Sequence, residues 1–433
     1  MTGDLPPAKI IPRDQHPISR KDIDREALKV LHRLRDAGYS AYLVGGGVRD
    51  IYLGKTPKDF DISTNARPGQ LRKLFRNSRV IGKRFRLVQV FFHGDKIIEV
   101  STLRCRSEFD IDGADKMLAS NNTYGTVAED ALRRDLTINA LFYEIENFTI
   151  IDHVNGVQDL KDKIVRIVGD PARRIKRDPV RMMRAIRHAA RSGFEIEEQT
   201  WGAIKENPGY LKMCPDSRIR DELLKDLTGG ASAKWAALAL DCGVFQTLLP
   251  FYKKELTPAT RELLLVNLAI SDRLQASGAQ LAEPFLFALL MLPWAREELA
   301  LLDDSLDGGK KTNFAKATRA KIDHNLQHLN VKKAQKEALT RLLLNLPVFI
   351  RYAGQEKWPA WLTRKSYFAN GLLFFRVYQE ATGGPVVSEE TVPQPKPAPA
   401  KKRPAPRKRS SGKRGRTPAF TSSKGGVFGL RKR

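Results

Sequence analysis

Cysteine is scarce in this chain of 433 residues, which has three, Cys105, Cys214 and Cys242, with no CxxC pair among them. So few thiols exclude a disulfide framework and a thiolate zinc cluster, and they fit a reducing compartment. Histidine is sparse too, at seven. Only His324 and His328 stand four apart on a predicted helix, and without the glutamate of a zinc-protease pattern they read as a solvated helix face. No run of about 18 apolar residues is present, so no membrane span is expected. The N-terminus carries Pro6, Pro7 and scattered charge instead of an apolar signal core, and a soluble, cytoplasmic protein is the expectation. Acidic residues are in deficit: 49 Asp and Glu face 75 Lys and Arg, a net charge of +26. That excess goes beyond what solubility needs and points to a polyanionic partner. Fourteen of the basic residues fall between Lys396 and Arg433, where no acidic residue occurs, so the rest of the chain still carries +12.

The length and the 42% hydrophobic content allow two or three domains with a sizeable core. Residues 1–20, broken by Pro6, Pro7, Pro12 and Pro17, read as an irregular extension. Ser19 reads as the cap of a helix running to Ala37, ended by Gly38. From there to about residue 150, short strand signals (41–44, 60–62, 88–92, 97–101, 141–145) alternate with helices such as 68–75. Residues 151–215 read as a helical neck and 216–383 as a helical body, with helices predicted at 179–192, 217–227, 232–242, 284–302, 332–344 and 368–381. Residues 384–433, rich in Pro, Lys, Arg, Ser and Gly, bury too little apolar surface to order themselves. Their lysines and arginines, including Lys401, Lys402, Arg403, Arg407, Lys408 and Arg409, suit RNA phosphates through counterion release, a solubilising tail being the plainer alternative.

Three clusters carry chemistry. The first is Leu43-Val44-Gly45-Gly46-Gly47-Val48-Arg49-Asp50, followed after a short helix-like spacer by Asp59-Phe60-Asp61. In a strand Asp59 and Asp61 share a face, and paired carboxylates favour Mg²⁺ bound jointly with substrate phosphates. Gly45 and Gly46 let backbone N–H groups approach a polyphosphate, and Arg49 adds a permanent cation. Taken singly, the glycines also suit a tight turn and the aspartates a solvated strand end; their order and spacing favour the joint reading. In the second cluster, Glu129-Asp130-Ala131-Leu132-Arg133-Arg134-Asp135-Leu136-Thr137-Ile138-Asn139-Ala140-Leu141, Arg133 or Arg134 would clamp phosphates while Asp135 and Asn139 contact ribose hydroxyls or triphosphate oxygens, unless the group is a salt-bridge network at a domain corner. The third is Arg177-Asp178-Pro179-Val180-Arg181-Met182-Met183-Arg184-Ala185-Ile186-Arg187. Here Asp178 is expected to cap a helix that Pro179 opens, with Asp178 and Arg181 reading a base edge. Arg184 and Arg187 belong to a basic face, for RNA or simply for solvent.

In this order the motifs LVGGGVRD, LGKTPKDFDIST, RRDLTINAL and RDPVRMMRAIR resemble those of the class II nucleotidyltransferase superfamily, which holds bacterial poly(A) polymerases and tRNA CCA-adding enzymes. The resemblance covers residues 41–194. It implies an α/β (α+β) nucleotidyltransferase head with a small mixed sheet, followed by all-α neck, body and tail domains. It further implies that Asp59 and Asp61 hold two Mg²⁺ ions, that Glu99 is a third catalytic carboxylate, and that Gly45, Gly46 and Arg49 cradle the triphosphate. Asp135 and Asn139 would contact sugar and triphosphate, and Asp178 with Arg181 would pair with the base. The stretch Ile81-Gly82-Lys83-Arg84-Phe85-Arg86 is similar to the poly(A) polymerase branch, with Lys83 and Arg84 toward RNA. The expectation is a monomeric, template-independent enzyme adding AMP from ATP to RNA 3′ ends; a CCA-adding or A-adding tRNA enzyme and an inactive RNA-binding adaptor are the alternatives. Two positions depart from the family pattern. Arg177 replaces the usual Glu, and Leu136 the commoner Phe.

Overall fold

The computed structural model describes residues 7–82, 86–105, 123–252, 255–299, 301–302 and 308–388. Lys83, Arg84, Lys401, Lys402, Arg403, Arg407, Lys408 and Arg409 lie outside the described residues. The head is built on β1 (Lys9–Ile11), β2 (Ala41–Val44), β3 (Asp61–Thr64), β4 (Ser78–Ile81), β5 (Leu87–Phe91), β6 (Ile97–Thr102), β7 (Phe142–Glu144) and β8 (Thr149–Asp152). They form one eight-stranded sheet in the order β1-β8-β7-β2-β3-β6-β5-β4. Every pairing in it is antiparallel except β3 with β6. The mixed sheet is therefore larger than expected. It also recruits residues 9–11 from what had read as an irregular extension, by pairing β1 along β8.

The central strands bury one face and leave the other polar, as an alternating pattern requires. Ile62, Val88, Val90, Ile98 and Val100 are buried together with Ala27, Val30, Leu31 and Leu34 of the helix Arg25–Asp36. Each such aliphatic side chain contributes roughly 1.5–3 kcal/mol on burial. That helix starts later than Ser19: Ser19 caps only a 3₁₀ turn at Arg20–Asp22, and Asp24 caps the helix proper by accepting from the Glu26 and Ala27 N–H groups.

The neck is not wholly helical, since Ile164–Val165 and Glu195–Ile196 pair as a short parallel ladder. Beyond it the described residues are mostly helical. The helix Glu283–Glu298 is buried continuously from Phe285 to Ala295, and it packs against Pro258–Ala276, Lys333–Tyr352 and Phe368–Ala381. A helix apolar all round belongs at the centre of a bundle. Among the described residues no helix is long and apolar enough to cross a membrane.

Candidate active site

The polar face of the head sheet carries a row of register partners, Arg79, Gln89, Glu99, Asp61, Val44 and Phe142, running from β4 to β7. Residues paired across strands present their side chains on one side, so Asp61 and Glu99 face the same space. Gln89 donates to Glu99 at 3.0 Å and fixes its orientation. Asp61 opens β3, while Asp59 lies in the extended approach to the strand rather than within it. Water reaches the Asp61 side chain, but most of its surroundings are protein. Its carboxyl is pushed up to about 6, first by lost hydration, then by Glu99 and also Asp59, with Arg134 pulling the other way. At Asp61, lost hydration and the neighbouring Glu99 and Asp59 thus outweigh the pull of Arg134.

The glycine turn lies directly over this row. Gly45 adopts φ +69°, a conformation that side chains disfavour, and a Cβ there would stand 3.5 Å from Arg134 Nη1 and 3.8 Å from Asp61 Oδ2. Gly47 lies as close to the chain before β3: its Cβ would be 3.4 Å from the Asp59 carbonyl. Arg134 is held by Asp130 (3.0 Å), by the Asn139 carbonyl (3.2 Å) and by Ser63 on β3 (3.3 Å), with its guanidinium 4.9 Å over the Phe142 ring. Asp130 reaches both arginines because it sits three and four residues before them, Arg133 closing the helix Val127–Arg133 and Arg134 following it. Arg49 donates to Asp50 (2.7 Å) and to Asn139 Oδ1 (2.6 Å), and its Nη1 lies 3.2 Å from His188 Nδ1. Burial and then Arg49 drive the His188 ring down to about 3, so it stays neutral and accepts from the guanidinium. Asn139 ends a 3₁₀ turn that Thr137 ties to Asp159 (2.6 Å). Gly156 packs on the same turn so closely that a Cβ would fall 2.3 Å from the Thr137 carbonyl oxygen.

The neck motif departs from the sequence reading. The helix begins at Val180 with Pro179 as its cap, and Asp178 closes the preceding helix Pro171–Arg177 without capping the next. The Asp178 carboxylate forms a two-pronged pair with Arg218 (2.8 and 2.9 Å). Arg181 donates to the Arg134 and Arg133 carbonyls (3.0 and 3.4 Å). Contact with a base would require these partners to be exchanged. Arg184 and Arg187 form no open basic face. Arg184 bridges Asp135 (3.3 Å) and Glu222 (3.1 Å), while Arg187, 6% exposed, pairs with Glu222 (2.7 Å) and Asp226 (2.5 Å). Burial opposes ionisation of Asp135 but is outweighed by Arg184, Arg181 and His188, which hold its carboxyl well below the usual range. Glu222 is drawn down to about 2 against its own burial, by Arg184 and Arg187. The basic helix face expected for RNA is an internal ion network instead, with Asp135 at the end that faces the head. Arg177 lines a small pocket of about 120 Å³ with Leu132, Arg173 and Arg174.

The structure therefore gathers Gly45, Arg134, Asp59, Asp61 and Glu99 at one cleft, and adjoins Arg49, Asn139 and Asp135 to it through His188. His188, Ser63 and Arg218 carry no motif signal of their own, and Asp130 lies in the second cluster without a role assigned to it. Only the position of Asp130 one turn before Arg133-Arg134 hinted at its role. The carboxylates suit divalent cations, because an uncompensated acidic cleft is what such an ion neutralises. Among the described residues no three His, Cys, Asp or Glu side chains stand close enough to hold an ion unaided, so phosphate oxygens would have to complete the coordination.

Comparison with known proteins matches residues 41–166 to the Poly A polymerase head domain and residues 193–256 to a family described as the probable RNA and SrmB-binding site of polymerase A. Poly(A) polymerase I of Escherichia coli O6:H1 is 48% identical over 252 residues, covering 57% of this chain and 54% of that protein. Poly(A) polymerase I of Haemophilus influenzae is 39% identical over 320 residues, covering 71% and 70%. In fold, the CCA-adding enzyme of Bacillus stearothermophilus, solved with CTP, aligns with TM-score 0.63 and 25% identity over 83% of this chain and 78% of that one. The chain thus spans little more than half the length of the Escherichia coli relative. The family model spans its head, its similarity runs on into the helical body, and more than two thirds of the Haemophilus relative is covered: the chain belongs to the poly(A) polymerase family of nucleotidyltransferases, to which the CCA-adding enzymes are akin.

Proposed function

We propose that this protein is a template-independent poly(A) polymerase that transfers AMP from ATP to RNA 3′ ends. The observation that carries this reading is the shared face of Asp61 and Glu99, with Asp59 alongside and the Gly45 turn and Arg134 directly above. The 3′-hydroxyl oxygen attacks the α-phosphorus, a phosphodiester bond forms, the bond to the β-phosphate breaks, and pyrophosphate leaves as the hydroxyl proton passes to water. Two Mg²⁺ ions held by Asp59, Asp61 and phosphate oxygens would supply the Lewis acidity that activates the hydroxyl and stabilises the leaving group. Gly45 and Gly46 give the triphosphate a close backbone approach. Arg134 and Arg49, each fixed by several hydrogen bonds, meet phosphate charge without reorganising. Asn139 holds Arg49 in place, and Asp135, kept ionised, orients Arg184 beside the cleft. No covalent enzyme intermediate is involved.

A tRNA nucleotidyltransferase is the second reading, supported by the likeness in fold to a CCA-adding enzyme. Each nucleotide supplied separately, with an unrelated RNA and with tRNA lacking its 3′ end, distinguishes the two. Long homopolymer from ATP on both RNAs is expected; a halt after one to three additions, on tRNA alone, would establish the second. Asp59→Asn or Asp61→Asn should remove extension in either case while RNA stays bound, and normal extension by both variants would refute the site.

A further inference from the structure

The apolar face of the head sheet, opposite the carboxylates, bears a second feature. A groove of about 890 Å³ lies between the helix Arg25–Asp36 and the chain at 74–77 and 90–92. Strand alternation places it: Val90 lines the groove, whereas Gln89, its neighbour on β5, faces Glu99. Arg25, Lys29 and Arg33 follow one another at intervals of four on one helix stripe, about 6 Å apart along the axis, and Arg76 stands across from them. All four are exposed. Arg25, Arg33 and Arg76 have no ion-pair partner among the described residues, and Asp36 is the one acid lining the groove. The floor is aromatic, with Phe92 half-buried and Phe75 lying 5.8 Å beneath the Arg33 guanidinium.

We propose that this groove binds single-stranded RNA upstream of the 3′ end, with phosphates along Arg25, Lys29 and Arg33 and bases against Phe92. The inference rests on RNA being the substrate. A row of cations beside aromatic rings is the combination that holds a single strand without reading its sequence, because every base offers a π-face and every nucleotide a phosphate. A metabolite pocket would be more enclosed, and an acidic peptide would make no particular use of the aromatic floor. The segment 396–433, with 14 basic and no acidic residues, offers no complementary charge.

The test compares the full-length wild type with Arg25→Gln/Lys29→Gln/Arg33→Gln, using an unstructured RNA of about 30 nucleotides and an oligomer of about six. The triple variant should bind the long RNA roughly five- to tenfold more weakly, with the slope of log affinity against log salt smaller by about two. Short-oligomer binding, AMP transfer to that oligomer and melting temperature should stay unchanged. In the wild type, 4-thiouridine placed upstream in the long RNA should crosslink to the 90–92 segment. Unaltered long-RNA affinity and slope overturn the proposal, as does an equal loss for both lengths. Loss of poly-glutamate binding without loss of RNA binding overturns it in favour of an acidic protein partner. AMP transfer by the wild type on the short oligomer reports on the polymerase assignment, whereas failure of the groove shows only in the dependence on RNA length.

Discussion

Asp61 is an acid placed where ionisation is unwelcome. Its pKa of about 6 stands above the ordinary value of 3.8, so the folded protein holds this proton more tightly than the unfolded chain does. Stability from this group is greatest at low pH and declines as pH rises from 3.8 toward 6. A divalent ion must displace the proton. Mn²⁺ affinity, followed by calorimetry, should therefore fall below pH 6, approaching roughly tenfold per pH unit. Glu99→Gln removes the largest charge repulsion on Asp61 and should move this midpoint to lower pH; an unmoved midpoint would mean that the two carboxylates do not communicate. Asp59, Asp61 and Gly45 were legible in the sequence because their spacing is local and their residue types have few other uses in that order, and Arg134 was offered with Arg133 by a separate local cluster. Glu99 rested on resemblance alone, since nothing within Ile98-Glu99-Val100 shows that β6 will lie parallel to β3. His188 was overlooked for a related reason: a lone histidine within an apolar helix pattern gives no sign of the arginine, 139 positions earlier, that meets it.

At the scale of elements, some helices were read closely, whereas the helix expected at 332–344 runs on to Tyr352, Pro258–Ala276 was not singled out, and edge strands were missed. The helix Val180–Ser192 and the helix Phe368–Ala381 lie within a residue of their expected bounds, because a strong apolar period persists over several turns. β1 has three residues and β4 is an exposed edge with outward-facing Arg79 and Val80, so neither carries an alternating pattern long enough to detect. The arginines of Val180–Ser192 show a different limit. Charge periodicity cannot distinguish a face turned to solvent from one matched to acids elsewhere, and the acids are Glu222 and Asp226 in the helix Asp216–Leu227. Arg187→Ala would leave both carboxylates short of a partner in the interior, and should cost about 3–5 kcal/mol in denaturant unfolding. Arg187→Met combined with Asp226→Leu removes charge from both sides of the Arg187–Asp226 pair and should lose less than the single alanine variant. An equal loss would show that packing volume, not charge, governs the site.

For the whole molecule, the charge excess that first suggested a polyanionic partner is spread over two places, the segment after Lys396 and the remainder at +12. Removing residues from 386 onward should weaken RNA binding and flatten its salt dependence, as filter binding across a salt series would show; an unchanged slope would assign that segment to solubility. Composition gave the division into an α/β head and a helical remainder, but not the extent of the sheet, which depends on strands distant in sequence.

That distance has a bearing on when the proposed site is assembled. Asp61 and Glu99 meet through the one parallel junction of the sheet, which closes only after the intervening helix and hairpin have been laid down. Sliding β6 by one position would turn Glu99 inward and bring Ile98 or Val100 out to the solvent side. A chain caught with its strands misaligned would retain its secondary structure yet lack the two acids side by side on one face, so the proposed site exists only with correct alignment of the core.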